Sequence, residues 1–125
     1  MTLSSMRVEH HDGVPVAFLD GDVDVANADR VGADLIDAVT NRAVGLVIVL
    51  SETRYLNSAG IGLLFRLNEQ LATRRQRLAL VLSPAARLRR ALEVSGVETA
   101  IPIRPDLPAA LAELGDGGVN RPQPL

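Results

Sequence analysis

The segment from residue 44 to residue 71 changes its hydrophobic period once, and this change constrains the fold more than any other feature of the chain. Residues 46–50 form an unbroken aliphatic run, which is typical of a strand buried on both faces. After Ser58, apolar residues recur at helical spacing, as Ile61, Leu64, Leu67 and Leu71. A buried strand that leads through a short loop into a helix is the repeating unit of α/β proteins, so we expect that fold class.

The remaining segments, read by the same two periods, predict one domain over residues 6–114. Its fold is predicted to be a mixed β-sheet of four to five strands with about four α-helices packed on it. Strands are predicted at residues 6–11, 14–19, 46–50, 78–82 and 100–103. Helices are predicted at residues 28–40, 58–73, 83–96 and 106–114, with Ser83 as an N-cap and Gly96 as a stop. Residues 21–24 are predicted to be a loop, and residues 1–5 and 115–125 flexible ends.

The chain contains no cysteine and no lysine, and these absences exclude several kinds of chemistry. Without cysteine there is no thiol nucleophile, no thiolate metal site and no disulfide. Without lysine there is no P-loop lysine and no Schiff base. The acidic run at residues 20–24 does not fit a calcium-binding EF-hand loop, because Val25 and Val31 stand where glycine and glutamate are needed. We therefore expect a protein that is not an enzyme and that holds neither a metal ion nor a cofactor.

The charge and the hydropathy of the chain also limit its partners. A net charge of −2 and a pI near 5.6 argue against a nucleic-acid partner. Two groups of arginines are interpreted as a solvated surface, namely Arg74, Arg75, Arg77, Arg87, Arg89 and Arg90. No apolar run approaches the roughly 20 residues that span a bilayer, and the polar N-terminal residues lack a following apolar segment. We therefore expect a cytoplasmic protein without a membrane partner.

Ser58 and the two glycines that follow it are the candidate functional residues. A hydroxyl at a helix start either caps the helix or accepts a phosphate, whose charge would lie beside free backbone N–H groups. Gly60 and Gly62 lower helix propensity, so each indicates close approach of the backbone by a neighbouring element or by a partner. Asp22 and Asp24 are expected near the same end of the sheet, where they either contact a partner or cap the next helix.

Four short motifs follow one another in the order seen in a known family. They are Gly21-Asp22-Val23-Asp24, Val49-Leu50-Ser51, Asn57-Ser58-Ala59-Gly60-Ile61-Gly62 and Leu92-Glu93-Val94-Ser95-Gly96-Val97. With these motifs the chain resembles a single STAS domain of the bacterial anti-sigma factor antagonist, or anti-anti-sigma factor, type. The resemblance covers about residues 6–114 and implies a STAS-type mixed sheet.

The resemblance also implies a partner and a means of regulation. Members of the family bind an anti-sigma factor, often a serine kinase, and so free a sigma factor for transcription. Phosphorylation of the serine that aligns with Ser58 ends binding, and a serine phosphatase restores it. The partner-binding residues implied for this chain are Asp22, Asp24, Asn57, Ser58, Ala59, Gly60, Ile61 and Gly62. A monomer or a weak dimer is expected.

The chain departs from the family pattern at two positions. Asn57 stands where the family commonly has an aspartate before the serine, and Val49 replaces an aspartate two residues before Ser51. Asparagine is a good capping residue, so the loop geometry is expected to persist. The alternative function is a ligand-sensing or scaffold STAS module that is not regulated by serine phosphorylation.

Overall fold

The computed structural model describes residues 5–119, with side chains as far as residue 115. Within that range the chain forms six strands and five helices. The strands are β1 (Ser5–His11), β2 (Val14–Val23), β3 (Gly45–Val49), β4 (Thr53–Leu56), β5 (Arg77–Val81) and β6 (Ile103–Arg104). The helices are α1 (Ala28–Asp37), α2 (Ser58–Thr73), α3 (Arg87–Val94), α4 (Val97–Ala100) and α5 (Leu107–Val119).

The strands form a mixed sheet in the order β1-β2-β3-β5-β6, and β4 pairs with β2 off this path. The β1–β2 pair is antiparallel, whereas every other pair is parallel. Asp12 and Gly13 join β1 to β2 with φ of 53° and 82°, the positive values that a type I′ hairpin turn requires. The predicted α/β class and mixed sheet are confirmed.

Apolar side chains alternate along the central strands and so form two layers, one on each face of the sheet. Leu46 and Ile48 of β3 face the layer that α1, α2, α3 and α4 cover. Val47 and Val49 face a smaller layer, which α5 covers. Burial on both faces explains why β3 reads as a continuous aliphatic run.

The structure contains one more strand and one more helix than the upper predicted numbers. The extra strand is β4, and its partner is the end of β2, so the prediction of a loop at residues 21–24 was wrong for Gly21, Asp22 and Val23. Gly21 has φ of 97°, and the register shifts between Gly21 and Asp22. A β-bulge can hold a glycine with positive φ inside a strand. For this reason a glycine that lies in the bulge was interpreted from the sequence as part of a loop. The extra helix is the short α4.

Several predicted boundaries also need correction. Helix α3 begins at Arg87 with Ala86 as its N-cap, while the Ser83 hydroxyl accepts a hydrogen bond from the Ala85 N–H at 3.2 Å and closes a turn before the helix. Helix α1 ends at Asp37 rather than residue 40. Helix α5 continues beyond residue 114 to Val119, so the predicted flexible end overlaps it, and residues 120–125 lie outside the described residues.

Candidate functional site

The carboxyl ends of β2 and β4 lie side by side and bring two loops together. Val23 is the register partner of Leu56, and the Asn57 N–H donates to the Val23 carbonyl oxygen at 3.2 Å. The loop that follows β2 and the start of α2 therefore occupy the same end of the sheet. Asp22 and Asp24, predicted from the sequence to lie near residues 57–62, do so through this pairing.

Asn57 caps α2. Its Oδ1 atom accepts hydrogen bonds from the backbone N–H groups of Ala59 at 2.9 Å and Gly60 at 3.2 Å, and its own backbone is extended, with φ of −86° and ψ of −170°. Two of the N–H groups that a helix leaves without an internal partner are thereby satisfied. Ser58 is the first helical residue and is exposed, so the alternative that its hydroxyl is the N-cap was wrong.

The two glycines of α2 have different surroundings. A Cβ atom on Gly60 would lie 3.2 Å from the Val23 carbonyl oxygen and 3.0 Å from Leu56 Cδ2. A Cβ atom on Gly62 would meet only the end of the Arg66 side chain, at 3.5 Å. Packing of α2 against β2 and β4 therefore explains Gly60. No neighbour among the described residues explains Gly62, which leaves its backbone open to approach from outside.

The two aspartates hold the loop after β2 rather than cap α1. The Asp22 carboxylate pairs with Arg54, with 3.5 Å between Oδ1 and Nε. Asp24 Oδ1 accepts from the Ala26 N–H at 3.0 Å. The N-cap position of α1 belongs to Asn27, whose side chain instead bonds the Asp22 carbonyl oxygen and the Asp24 N–H, at 3.0 Å each. The alternative of aspartate caps for α1 was therefore wrong.

Two exposed apolar side chains at this end of the sheet were missed from the sequence. Val25 is 81% exposed in the loop after β2, and Tyr55 is 54% exposed on β4, where it is the register partner of Asp22. Large apolar side chains that flank one site are typical of protein–protein contacts. Val25 could have been found as a large apolar residue in the short stretch between the polar residues Asp24 and Asn27. Tyr55 could not, because β4 itself was not predicted.

The site offers hydroxyl, amide and apolar groups rather than a metal-binding cluster. Within residues 5–115, whose side chains the structure describes, no group of three or more His, Asp or Glu side chains is placed to hold a metal ion. Among residues 5–119 no helix has both the length and the apolar character to cross a bilayer. We name this surface, formed by Asp22, Asp24, Val25, Tyr55 and residues 57–62, the Ser58 surface.

The comparison with family models decides the identity of the domain. The model described as "STAS domain" matches residues 5–110. The chain belongs to the STAS domain family. The predicted resemblance is therefore confirmed, and the STAS fold explains the mixed sheet with helices on both faces.

The solved structures similar to this STAS domain include both anti-sigma factor antagonists and a transporter. An anti-sigma factor antagonist from Mycobacterium paratuberculosis is 29% identical, with 91% of this chain and 96% of that chain covered and a TM-score of 0.79. The phosphorylated form of the Bacillus cell fate determinant SpoIIAA is 17% identical, with 88% and 99% covered and a TM-score of 0.63. The murine anion transporter Slc26a9 is 14% identical, with 92% of this chain but 22% of that chain covered and a TM-score of 0.72.

These comparisons establish a STAS domain that is structurally similar to anti-sigma factor antagonists. The last two likenesses concern the fold alone, and the transporter contains such a domain as a small part of a much longer chain. No curated protein matches the sequence at a significant level.

Proposed function

We propose that this STAS domain is an anti-sigma factor antagonist, which binds a kinase-type anti-sigma factor through the Ser58 surface and so frees a sigma factor for transcription. The observation that carries the proposal is the exposed Ser58 at the start of α2, with the open backbone of Gly62 one turn further along. The exposed Val25 and Tyr55 side chains supply apolar contact area beside it. The likeness to the mycobacterial antagonist supports the same assignment.

Phosphorylation of Ser58 is proposed as the switch that ends binding. A phosphoserine adds about −1.5 to −2 charges and three acceptor oxygens, which a closely packed partner surface would have to desolvate. Within the domain the N-terminus of α2 stabilises the added charge. Asn57 caps this helix without a charge of its own, so it adds no like-charge repulsion to the phosphate. A serine phosphatase would reverse the switch.

The role proposed is regulatory rather than enzymatic, and it belongs in the cytoplasm, where sigma factors act. It depends on one protein–protein contact that a single charge controls. No metal ion or cofactor takes part in it.

The experiment is a calorimetric titration with purified kinase-type anti-sigma factors from the source bacterium. We expect the unmodified domain to bind one of them, and Ser58→Asp to bind it at least about tenfold more weakly, because the new carboxylate would lie unpaired in the interface. Thr40→Asp is the matched control, since it adds the same charge at an exposed position before β3, at the opposite end of the sheet. Equal affinity of all three proteins would contradict the proposal that charge at Ser58 controls binding. A lack of binding by the unmodified domain would contradict the antagonist function itself.

The same titration with glycine variants separates binding from folding. Gly62→Ala adds a methyl group whose nearest neighbour is the end of the Arg66 side chain, at an ordinary contact distance of 3.5 Å. The variant should therefore raise the free energy of unfolding by about 0.5–1 kcal/mol through helix propensity while weakening the partner complex. Gly60→Ala should instead lower stability, because its methyl group meets Val23 and Leu56. A Gly62→Ala variant that binds with undiminished affinity would place the partner elsewhere.

The second candidate is a ligand-sensing STAS module, and a cavity favours it. The cavity, of about 380 Å³, opens where β3 and β5 end, with Arg54, Arg87 and the Ser51 hydroxyl beside a floor that includes Leu50 and Leu82. Two arginines over an apolar floor suit an anionic ligand with an apolar part, such as a nucleotide. A nucleotide that raises the melting temperature of the domain but not that of Arg87→Ala would support this candidate.

A further inference from the structure

The outer edge of β1 has no strand beside it among the described residues, since β1 ends the sheet opposite β6. Such an edge presents a row of backbone N–H and C=O groups that another strand can pair with. The β1 sequence is Ser5-Met6-Arg7-Val8-Glu9-His10-His11, which places one positive and one negative side chain symmetrically about Val8.

The hairpin register decides which backbone groups point outward. His11 and Val14 flank the two-residue turn, and residues in that position exchange hydrogen bonds across the hairpin. Bonded and non-bonded pairs alternate along an antiparallel ladder, so Met6, Val8 and His10 direct their N–H and C=O groups to the free edge. Pro15, the register partner of His10, has no N–H, which agrees with a non-bonded pair at that position.

The side chains of Arg7 and Glu9 lie together on one face of this edge. The register pairs Arg7 with Phe18 and Glu9 with Val16, and the Arg7 guanidinium carbon lies 4.1 Å from the centre of the Phe18 ring. Arg7 and Glu9 are 3.3 Å apart at their nearest charged atoms. Both side chains remain accessible, with 65% and 43% of their surface exposed.

We propose that two copies of this chain pair through the outer edge of β1, in an antiparallel register centred on Val8. In this register Val8 lies opposite Val8 of the second copy, and Arg7 of each copy lies opposite Glu9 of the other. The outward groups of Met6, Val8 and His10 then form the bonded pairs, and the two Arg7–Glu9 pairs are non-bonded ones, in which side chains approach most closely.

Charge complementarity selects this register over its two symmetric neighbours. A register centred on Arg7 places the two Arg7 side chains opposite each other, and one centred on Glu9 does the same with the two glutamates. Like charges directly opposite one another destabilise a strand pair. The contact is small, so the dimer is expected to form reversibly and only at high protein concentration. Within the described residues β1 pairs along β2 only as far as Asp20, the register partner of Ser5, whereas the Ser58 surface begins at Asp22. The proposed pairing therefore leaves the Ser58 surface of each copy accessible.

Sedimentation equilibrium over a wide concentration range tests the proposal with two charge-reversal variants. Arg7→Glu places two glutamates opposite each other in both pairs, and Glu9→Arg does the same with two arginines. Each variant alone should dimerise about tenfold more weakly than the unmodified chain. An equimolar mixture should recover the dimer, because the two β1 glutamates of one variant then face the two β1 arginines of the other.

Arg42→Glu and Glu69→Arg are the matched controls, since they make the same changes of net charge at exposed positions away from β1. Both controls should dimerise like the unmodified chain. Circular dichroism of every variant checks that the fold is kept. An unmodified chain that stays monomeric throughout, or Arg7→Glu and Glu9→Arg variants that each dimerise as strongly as the unmodified chain, would overturn the proposal.

Discussion

Single residues fix where helix α2 begins and which of its atoms face outward. Asn57 takes the two free N–H groups of Ala59 and Gly60, and this leaves the adjacent Ser58 hydroxyl exposed at the first helical position. Gly60 lets the same turn pack closely on the end of β2. Asn57 therefore caps the helix while its neighbour Ser58 is exposed, so a modification of the Ser58 hydroxyl leaves the hydrogen bonds of the cap in place.

Replacement of the cap tests this division. Asn57→Ala should lower the free energy of unfolding by about 1 kcal/mol, because the N–H groups of Ala59 and Gly60 lose their acceptor. Asn57→Asp keeps an acceptor oxygen at the same place and should stay close to the unmodified stability. Urea unfolding followed by circular dichroism measures both variants. Equal stability of Asn57→Ala and the unmodified domain would show that the cap contributes nothing.

At the scale of whole elements, an ion-pair cluster attaches α5 to the sheet. Glu113 of α5 pairs with Arg77 of β5, at 3.2 Å between Oε2 and a guanidinium nitrogen, and also with Arg104 of β6. Arg77 further donates to the Glu113 carbonyl oxygen at 3.0 Å. The hydrogen bond from Arg104 is the largest cause that lowers the pKa of Glu113 below its ordinary value of 4.5.

The lowered pKa predicts how stability depends on pH. Because the pKa of Glu113 is lower in the folded than in the unfolded chain, its contribution is present above about pH 4.5 and is lost as the pH falls through the folded value. Glu113→Gln should therefore be less stable than the unmodified domain at pH 7, by about 1 kcal/mol, and the difference should shrink at pH values below 4.5.

Urea unfolding at a series of pH values measures this difference. The control is Glu69→Gln, which removes an exposed carboxylate from α2 and should change stability by less than about 0.5 kcal/mol at every pH. A difference between Glu113→Gln and the unmodified domain that persists unchanged through acidic pH would contradict the electrostatic origin of the attachment.

At the scale of the whole molecule, the sheet divides an almost entirely aliphatic interior into two layers. Leu67 of α2 is fully buried in the larger layer, whereas Val94 at the end of α3 is 75% exposed. Leu67→Ala should lower the free energy of unfolding by about 2–5 kcal/mol, through lost burial and a residual cavity. Val94→Ala should change it by less than about 0.5 kcal/mol.

Chemical unfolding with two probes also tests whether the two layers unfold together. Far-ultraviolet circular dichroism and the fluorescence of Tyr55 should give one coincident transition, because both layers share β3 and β5. Two separate transitions would mean that α5 and its layer unfold on their own.

Strong local periodicity made part of the structure predictable. The aliphatic run of β3 and the apolar stripe of α2 each require one secondary structure, and helix α2 was predicted with the bounds that the structure shows. The Asp12-Gly13 turn similarly determined the hairpin. The placement of Ser58 at the same end of the sheet as Asp22 and Asp24 followed from the rule that parallel strands end at one edge of the sheet.

Pairing between distant segments decided the rest. Strand β4 has two exposed residues between two buried ones, which is no strand pattern by itself, and it forms because β2 extends past β3 and bulges at Gly21 to meet it. The sequence by itself thus determined the family, the mixed sheet and the position of Ser58, since these depend on local periods and motifs. Only the tertiary structure decided that Gly60 packs while Gly62 stays open, and that Val25 and Tyr55 are exposed at the same end of the sheet as Ser58, because each of these depends on the pairing of β2 with β4.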